Sequence, residues 1–229
     1  LLNCIAGNIH PDKGKIIFDD CNILDNGSII NNFGILIQAS FLDYLNTYDN
    51  LKLLSYASGI TDKNIISKKI DEVLTIVGLE KQKLNFVKDF SFGMKQRLGL
   101  AQALLNGNKF LILDEPLVGL DVLGREIVKE IIINKAKKEN IPVLFSDHNL
   151  REVEDICDKI VCLDKGEKIF DGIFKNEEKY CVEVVNPGFN ILNNLNLVYK
   201  NFININGNKI VINDKEKLND IITFLVQHN

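Results

Sequence analysis

The chain has 229 residues, of which 46% are hydrophobic and 25% are charged, and its formal net charge is −4. These values are typical of a globular protein and argue against nucleic acid as a partner, because there is no excess of basic residues. No apolar run approaches the roughly 18 residues that a membrane-spanning helix needs, so we expect any contact with a membrane to pass through a partner protein.

The first 38 residues predict a short helix followed by two strands. Apolar residues with helical spacing begin at residue 1, and the helix ends at Gly7. Strands are predicted over 15–18 and 34–37, and Gln38 follows the second one. The only methionine is Met94 and the first helix has no capping residue. We therefore expect the natural chain to extend beyond the printed N-terminus.

Residues from about 42 to 85 predict a helical insert between strands. Within 65–77 the apolar residues recur every three to four positions, which is typical of a helix with one buried face. The predicted buried residues are Ile66, Ile70, Val73, Leu74 and Val77. Ser91 is placed to cap a further helix. The predicted helical subdomain therefore spans about residues 42–105.

Two continuous apolar strands follow, at 110–113 and 143–146, with a helix predicted around 124–138 between them. Strands that are apolar throughout and alternate with helices indicate a mostly parallel sheet covered on both faces. The predicted fold class is therefore α/β.

From about residue 173 the composition shifts towards asparagine and short alternating strands. Asn206–Gly207 lies between two alternating runs and predicts a hairpin. The last segment carries an apolar helical stripe formed by Leu218, Ile221, Ile222 and Leu225. We predict a small α+β module of βαββα order over 173–229, after a first domain that spans 1–172.

Three segments carry the candidate catalytic and ligand-binding residues. They are Phe-Ser-Phe-Gly-Met-Lys-Gln-Arg at 90–97, Phe-Leu-Ile-Leu-Asp-Glu-Pro at 110–116 and Gly-Leu-Asp at 119–121. Asp114 and Glu115 come at the end of a buried strand, where open α/β sheets bind their ligands. Adjacent carboxylates repel each other, and a cation such as Mg²⁺ offsets that repulsion. The alternative is a solvated Asp-Glu pair at the start of a loop.

The ordered set of segments resembles the signature loop, Walker B strand and D-loop of the ATP-binding subunits of ABC transporters. The resemblance covers about residues 1–172, and the Ser-Phe-Gly-Met-Lys-Gln-Arg run resembles the bacitracin and lantibiotic-resistance exporter group. It implies a P-loop-type fold, hydrolysis of ATP with Mg²⁺, and a homo- or heterodimer of ATPase subunits. It also implies permease partners and a cytoplasmic location at the inner face of the membrane.

The resemblance assigns a role to four residues around the strand ends. Asp114 is the magnesium carboxylate, and Glu115 is the general base for the attacking water. His148 contacts the γ-phosphate, and Gln38 lies near Mg²⁺ and the nucleotide. In the function that the resemblance implies, ATP hydrolysis drives the export of antimicrobial peptides or resistance to them.

Nucleotide contacts from a second subunit are also implied. Ser91, Gly93 and Met94 form the signature loop at the start of a helix, a position that favours anions. In the family this loop binds the ATP that the other subunit holds, and the residue that corresponds to Asp121 contacts that subunit. Phe92 departs from the glycine that is usual in the wider family. A plain helix cap at Ser91 is the structural alternative.

The printed sequence contains no GxxxxGK[ST] phosphate loop. The resemblance places that loop before Leu1, with roughly 40 residues of family sequence in front of this chain. We therefore expect the 229-residue chain to bind ATP poorly and to hydrolyse none. One alternative is a non-catalytic remnant that pairs with an intact subunit, although Glu115 and His148 are retained. A chromosome or ribosome ATPase is disfavoured, because the insert lacks heptads.

Overall fold

The chain is described from a computed structural model, which covers residues 1–25, 27–173, 180–184 and 189–228. It divides into two compact units, Leu1–Cys157 and Asp158–Asn229. Each unit has its own hydrophobic core. The site residues predicted from the sequence all lie in the first unit.

The first unit begins with short elements. Helix α1 (Leu2–Ile5) is followed by strands β1 (Ile17–Phe18) and β2 (Cys21–Asn22), which pair antiparallel. Asp19 and Asp20 between them have φ angles of 47° and 61°. Two consecutive residues with positive φ form the tight turn that suits a two-residue hairpin. The predicted first strand is thus present but only two residues long.

A parallel sheet forms the centre of the first unit. It contains β3 (Phe33–Leu36), β4 (Phe110–Asp114) and β5 (Val143–Ser146), in the order β3–β4–β5. All pairings in it are parallel, and Asp114 at the end of β4 is paired with Ser146 at the end of β5. The side chains of Leu111, Ile112 and Leu113 are fully buried. The predicted α/β class with a parallel sheet is confirmed.

Five helices accompany this sheet: α2 (Thr47–Ala57), α3 (Lys63–Ile76), α4 (Phe92–Asn106), α5 (Val122–Lys137) and α6 (Leu150–Glu154). Helices α2 and α3 form the predicted insert, and both pack against α4. The predicted apolar face of α3 is buried, with Ile66, Ile70 and Leu74 fully covered. Burial of each such side chain contributes about 1.5–3 kcal/mol.

Helix α4 is tied to the end of α3 by Arg97. Its Nη1 donates hydrogen bonds to the carbonyl oxygens of Val77 and Gly78, at 3.0 and 3.2 Å. These carbonyls belong to the C-terminal end of α3, where helical acceptors lack an internal partner. Lys95 on the same helix forms an exposed ion pair with Asp43 at 3.1 Å. Arg97 therefore has a structural role that the sequence did not indicate.

Helix α4 also approaches β3 at Gly34. A Cβ atom added at Gly34 would lie 2.2 Å from the carbonyl oxygen of Ala103 and 2.9 Å from the Cα of Gly107. Those neighbours are backbone atoms, so a larger residue cannot be accommodated by a side-chain rotation. The absence of a side chain at Gly34 fixes the distance between the helix and the sheet.

The second unit begins with a hairpin of β6 (Ile160–Asp164) and β7 (Glu167–Gly172). After it come β8 (Tyr180–Glu183), α7 (Phe189–Tyr199), β9 (Ile203–Asn206), β10 (Lys209–Ile212) and α8 (Lys215–His228). The strands β8, β10 and β9 form an antiparallel sheet in that order. The observed order is the predicted βαββα, and the hairpin after Asn206 is present.

The two compact units divide between Cys157 and Asp158, which is earlier than the predicted domain boundary at 172. The hairpin of β6 and β7, which is a two-stranded sheet of its own, falls in the second compact unit, and the domain boundary at 172 stays a prediction. Residues 174–179 and 185–188 of the predicted module lie outside the described residues. In the part of the chain that the structure describes, no helix is both long and apolar enough to cross a membrane.

Replacement of Gly34 by alanine should destabilise the first unit. The added methyl group meets backbone atoms of α4, and overpacking of this kind costs about 1–3 kcal/mol. Urea unfolding followed by circular dichroism measures the change. Gly27→Ala is the matched control, because a Cβ atom at Gly27 enters open space. Equal unfolding midpoints for the two variants would contradict the close approach.

Replacement of Arg97 by alanine should also lower the free energy of unfolding. The change leaves two carbonyl groups at the end of α3 without this partner, one partly buried at Val77 and one exposed at Gly78, and we expect a loss of about 1–3 kcal/mol. Lys95→Ala removes only an exposed ion pair on the same helix, with an expected loss of about 0–1 kcal/mol. The same unfolding experiment compares the variants, and a larger loss for Lys95→Ala would refute the assignment.

Candidate active site at the carboxyl edge of the parallel sheet

Polar residues gather where the three parallel strands end. Asp114 is the last residue of β4 and Ser146 the last residue of β5, while Gln38 follows β3 by two residues. Because parallel strands end at the same edge of a sheet, these residues share the edge at which α/β folds bind ligands. Gln38 is exposed there.

A single hydroxyl group connects the two adjacent carboxylate residues. The Oγ of Ser146 donates to Oδ1 of Asp114 at 2.5 Å and accepts a hydrogen bond from the backbone N–H of Glu115 at 3.0 Å. Sequence reasoning missed Ser146. The sequence does show that Ser146 is the last residue of an apolar strand. It does not show that this strand lies beside β4, so the contact with Asp114 could be recognised only from the strand order.

Glu115 has an unusual backbone conformation. Its φ angle is +47°, in the left-handed region that residues other than glycine seldom adopt. Its carbonyl oxygen accepts hydrogen bonds from Nε2 of Gln96 at 3.0 Å and from the N–H of Val118 at 3.2 Å. A left-handed conformation costs roughly 1–2 kcal/mol, and such conformations concentrate at functional sites.

The side chain of Glu115 faces His148. The distance between Oε1 of Glu115 and Nδ1 of His148 is 3.6 Å, and the two side chains are 52% and 75% exposed. The structure therefore brings three of the predicted site residues together: Asp114, Glu115 and His148. Among the described residues, no hydrogen bond or ion pair joins Gln38 to these three.

The segment that carries His148 continues into α6, which is linked to α5 through Glu152. Glu152 is ion-paired with Lys129 and lies 3.5 Å from Nη1 of Arg125. The hydrogen bond to Glu152 raises the pKa of Lys129 above its usual value. A cavity of about 210 Å³ is lined by this part of the chain, including His148 and Gly119. The ion pairs join α6 to α5.

The predicted signature loop lies at the N-terminus of α4. Ser91 is the capping residue, and its side chain accepts a hydrogen bond from the N–H of Met94 at 3.2 Å. Phe92 is 63% exposed, yet a Cβ atom added at Gly119 would lie 2.2 Å from two of its ring carbons. The start of α4 is thus packed on the segment after Glu115.

Two further predicted residues have local contacts in this chain. A Cβ atom at Gly93 would lie 3.3 Å from the carbonyl oxygen of Gly119, so the loop is close-packed at this glycine. Asp121 caps α5, because its Oδ1 accepts a hydrogen bond from the N–H of Gly124 at 2.8 Å. The contact of Asp121 with a second subunit stays a prediction.

The side-chain oxygen atoms at the strand ends are of the kind that Mg²⁺ prefers. The described residues contain no group of three or more His, Cys, Asp or Glu side chains that could hold a metal ion by themselves. Mg²⁺ commonly keeps several waters and uses one or two carboxylates together with substrate phosphates. Asp114, partly buried and oriented by Ser146, is suited to be such a carboxylate.

Comparison with known proteins connects this site to a family. The sequence model described as "ABC transporter" matches residues 1–118. The bacitracin transport ATP-binding protein BcrA of Bacillus licheniformis is 36% identical over 185 residues, which cover 78% of this chain and 59% of that protein. The lantibiotic transport ATP-binding protein SrtF of Streptococcus pyogenes is 34% identical over 189 residues, covering 79% of this chain and 77% of that protein.

A solved structure shares the fold. The dimeric ATP-binding cassette MJ0796, in a post-hydrolysis state with ADP and Pi, superposes with a TM-score of 0.68 at 20% identity, covering 76% of this chain and 79% of that one. The chain spans only 59% of the length of the Bacillus licheniformis relative. The family match, the relatives and the predicted motifs agree, and this chain belongs to the ABC transporter ATP-binding family.

Proposed function

We propose that this chain is the ATP-hydrolysing nucleotide-binding subunit of an ABC transporter. The observation that carries the proposal is the carboxylate pair at the end of β4, with Glu115 3.6 Å from His148 and Asp114 hydrogen-bonded to Ser146. A metal carboxylate and a separate general base are what phosphoryl transfer to water requires. The family match supports the same reaction.

Asp114 is the residue proposed to hold Mg²⁺. Its hydrogen bond to Ser146 fixes the orientation of the carboxylate before any ligand arrives, and a preorganised ligand binds without further ordering. When bound, Mg²⁺ neutralises the charge that develops on the phosphate oxygens. Gln38 lies at the same edge of the sheet, and we assign it a contact near this ion and the nucleotide.

Glu115 is the proposed general base. Its carboxylate is exposed and not used in a helix cap, so it is able to accept a proton from a water molecule at the sheet edge. His148 lies beside it and is the proposed contact for the γ-phosphate. The roles of the two carboxylates differ because Asp114 is engaged by Ser146, whereas the side chain of Glu115 points to His148.

The signature loop is proposed to bind ATP held by a second subunit. Ser91, Gly93 and Met94 surround the N-terminus of a 15-residue helix, which attracts anions through its free N–H groups and its dipole. A homo- or heterodimer completes each site, and Asp121 is assigned a contact across that interface. Support comes from the dimeric solved relative of the same fold.

The physiological partner is proposed to be a transmembrane permease. Attachment to it would place this chain on the cytoplasmic face of the membrane. The named relatives act in bacitracin and lantibiotic transport, so the proposed cargo is an antimicrobial peptide that is exported. In this proposal ATP binding joins two subunits and hydrolysis lets them separate, which shifts the permease between two states.

Glu115→Gln tests the catalytic assignment. We expect kcat for ATP to fall by about 100-fold or more, because the amide no longer accepts a proton, while binding of Mg²⁺-ATP is retained. The assay uses the product of the complete gene, purified with its membrane partner. Glu130→Gln, an exposed position on α5, is the control and should leave kcat unchanged. Full activity of Glu115→Gln would remove Glu115 from the mechanism.

The 229-residue chain itself should show no Mg²⁺-ATPase activity and weak ATP binding. The reason is that the printed sequence lacks GxxxxGK[ST], whose N–H groups supply much of the affinity for phosphates. Calorimetric titration with ATP and a phosphate-release assay measure both properties. Hydrolysis by this chain would contradict the expectation.

The alternative is a non-catalytic subunit that pairs with an intact ATPase. The intact mass and N-terminal sequence of the endogenous protein distinguish the two. A product that carries a phosphate loop before Leu1 supports the catalytic subunit, whereas a product that begins near Leu1 supports the alternative.

A further inference from the structure

We propose that Gln96 is a positioning residue for Glu115, acting together with Ser146 to maintain the backbone conformation that directs the Glu115 carboxylate. The inference rests on the proposed function, since it concerns the geometry of the proposed general base. Gln96 itself contacts no reacting group. Its side chain contacts the carbonyl oxygen of Glu115, 19 positions away in the sequence.

Both backbone polar groups of Glu115 are bound by side chains from other elements. The N–H donates to Oγ of Ser146 on β5 at 3.0 Å, and the carbonyl oxygen accepts from Nε2 of Gln96 on α4 at 3.0 Å. The N–H of Val118 provides a second, local donor to the same oxygen at 3.2 Å. The peptide units on either side of Glu115 are therefore each hydrogen-bonded to a side chain of another element.

Two effects destabilise the backbone conformation observed at Glu115. Its φ angle of +47° brings the Cβ atom too close to the backbone. It also precedes Pro116, and a residue before proline prefers an extended backbone. Neither preference is satisfied here, so the conformation depends on the surrounding contacts. The hydrogen bonds from Ser146 and Gln96 are contacts of the required kind.

Gln96 is well placed to stabilise this turn. It is partly buried on α4, and only its amide N–H group is able to donate to a carbonyl oxygen, which fixes the orientation of the amide. The same helix contacts the same segment a second time, through Phe92 and Gly119. Helix α4 therefore packs on the segment after β4 through Phe92 and Gly93, and it forms a side-chain hydrogen bond to that segment through Gln96.

Without Gln96 the backbone at Glu115 is expected to relax towards the extended form. Because φ determines the direction of the side chain, this relaxation would turn the carboxylate away from His148. Asp114 would keep its own hydrogen bond to Ser146. The predicted defect is thus specific to the general base and should leave the binding of Mg²⁺-ATP intact.

The first test is structural and uses the 229-residue chain. A left-handed residue has its own amide and α protons close together, so Glu115 should give a strong intraresidue NOE in the wild-type chain. We expect Gln96→Ala and Gln96→Glu to weaken this NOE, since neither side chain has an N–H donor. Lys95→Ala on the same helix is the matched control and should preserve it.

The second test is kinetic and uses the complete gene product with its membrane partner. Gln96→Ala and Gln96→Glu should lower kcat by about 10- to 100-fold, because a small misplacement of a catalytic group is costly. KM for ATP should stay within about twofold of wild type, because the substitution removes no contact that binds ATP in the ground state. Lys95→Ala should retain wild-type kcat.

The proposal is wrong if the Glu115 NOE is unchanged in both Gln96 variants. It is also wrong if the NOE weakens but kcat of an active wild-type complex does not fall, because the contact would then be structural only. An inactive wild-type complex would instead reject the proposed function. In that case the NOE alone decides whether Gln96 maintains the conformation of Glu115. If the two Gln96 variants unfold at the same urea concentration as Lys95→Ala, a folding defect is excluded as the cause.

Discussion

The parallel pairing of β4 between β3 and β5 is the constraint on which the candidate site depends. Its register places Asp114 directly beside Ser146, so a strand end that carries two acidic residues meets a hydroxyl group able to bind both. A shift of one residue would turn every side chain of β4 to the opposite face of the sheet. The fully buried residues of β4 make such a shift costly, and the core thereby fixes the geometry of the site.

Helix α4 transmits this geometry to the rest of the first unit. It approaches β3 at Gly34 and binds the end of α3 through Arg97. It also contacts the segment after β4 through Gln96 and Phe92. Helix α4 therefore links the helical insert to the segment that carries the carboxylates. Under the proposed function, this link would be a physical route by which a change at the insert affects hydrolysis.

Sequence patterns predicted the elements better than they predicted the contacts between them. The apolar runs marked β4 and β5, and the residue types at Ser91 and Asn206–Gly207 marked a helix cap and a hairpin, because such signals are local. Ser146 and Gln96 were not foreseen, since their partners depend on strand order and on helix packing. The sequence predicts a domain boundary at 172, after the β6–β7 hairpin, because no local signal separates that hairpin from the strands before it.

The contact between Phe92 and Gly119 has an evolutionary consequence. Gly119 has a φ angle of +72°, and the ring of Phe92 occupies the space that a side chain at 119 would need. A smaller residue at position 92 would remove the contact with the ring, but the positive φ angle would still strain any residue with a Cβ atom at 119. Position 119 is therefore expected to remain glycine in descendants of this sequence, whatever residue stands at 92.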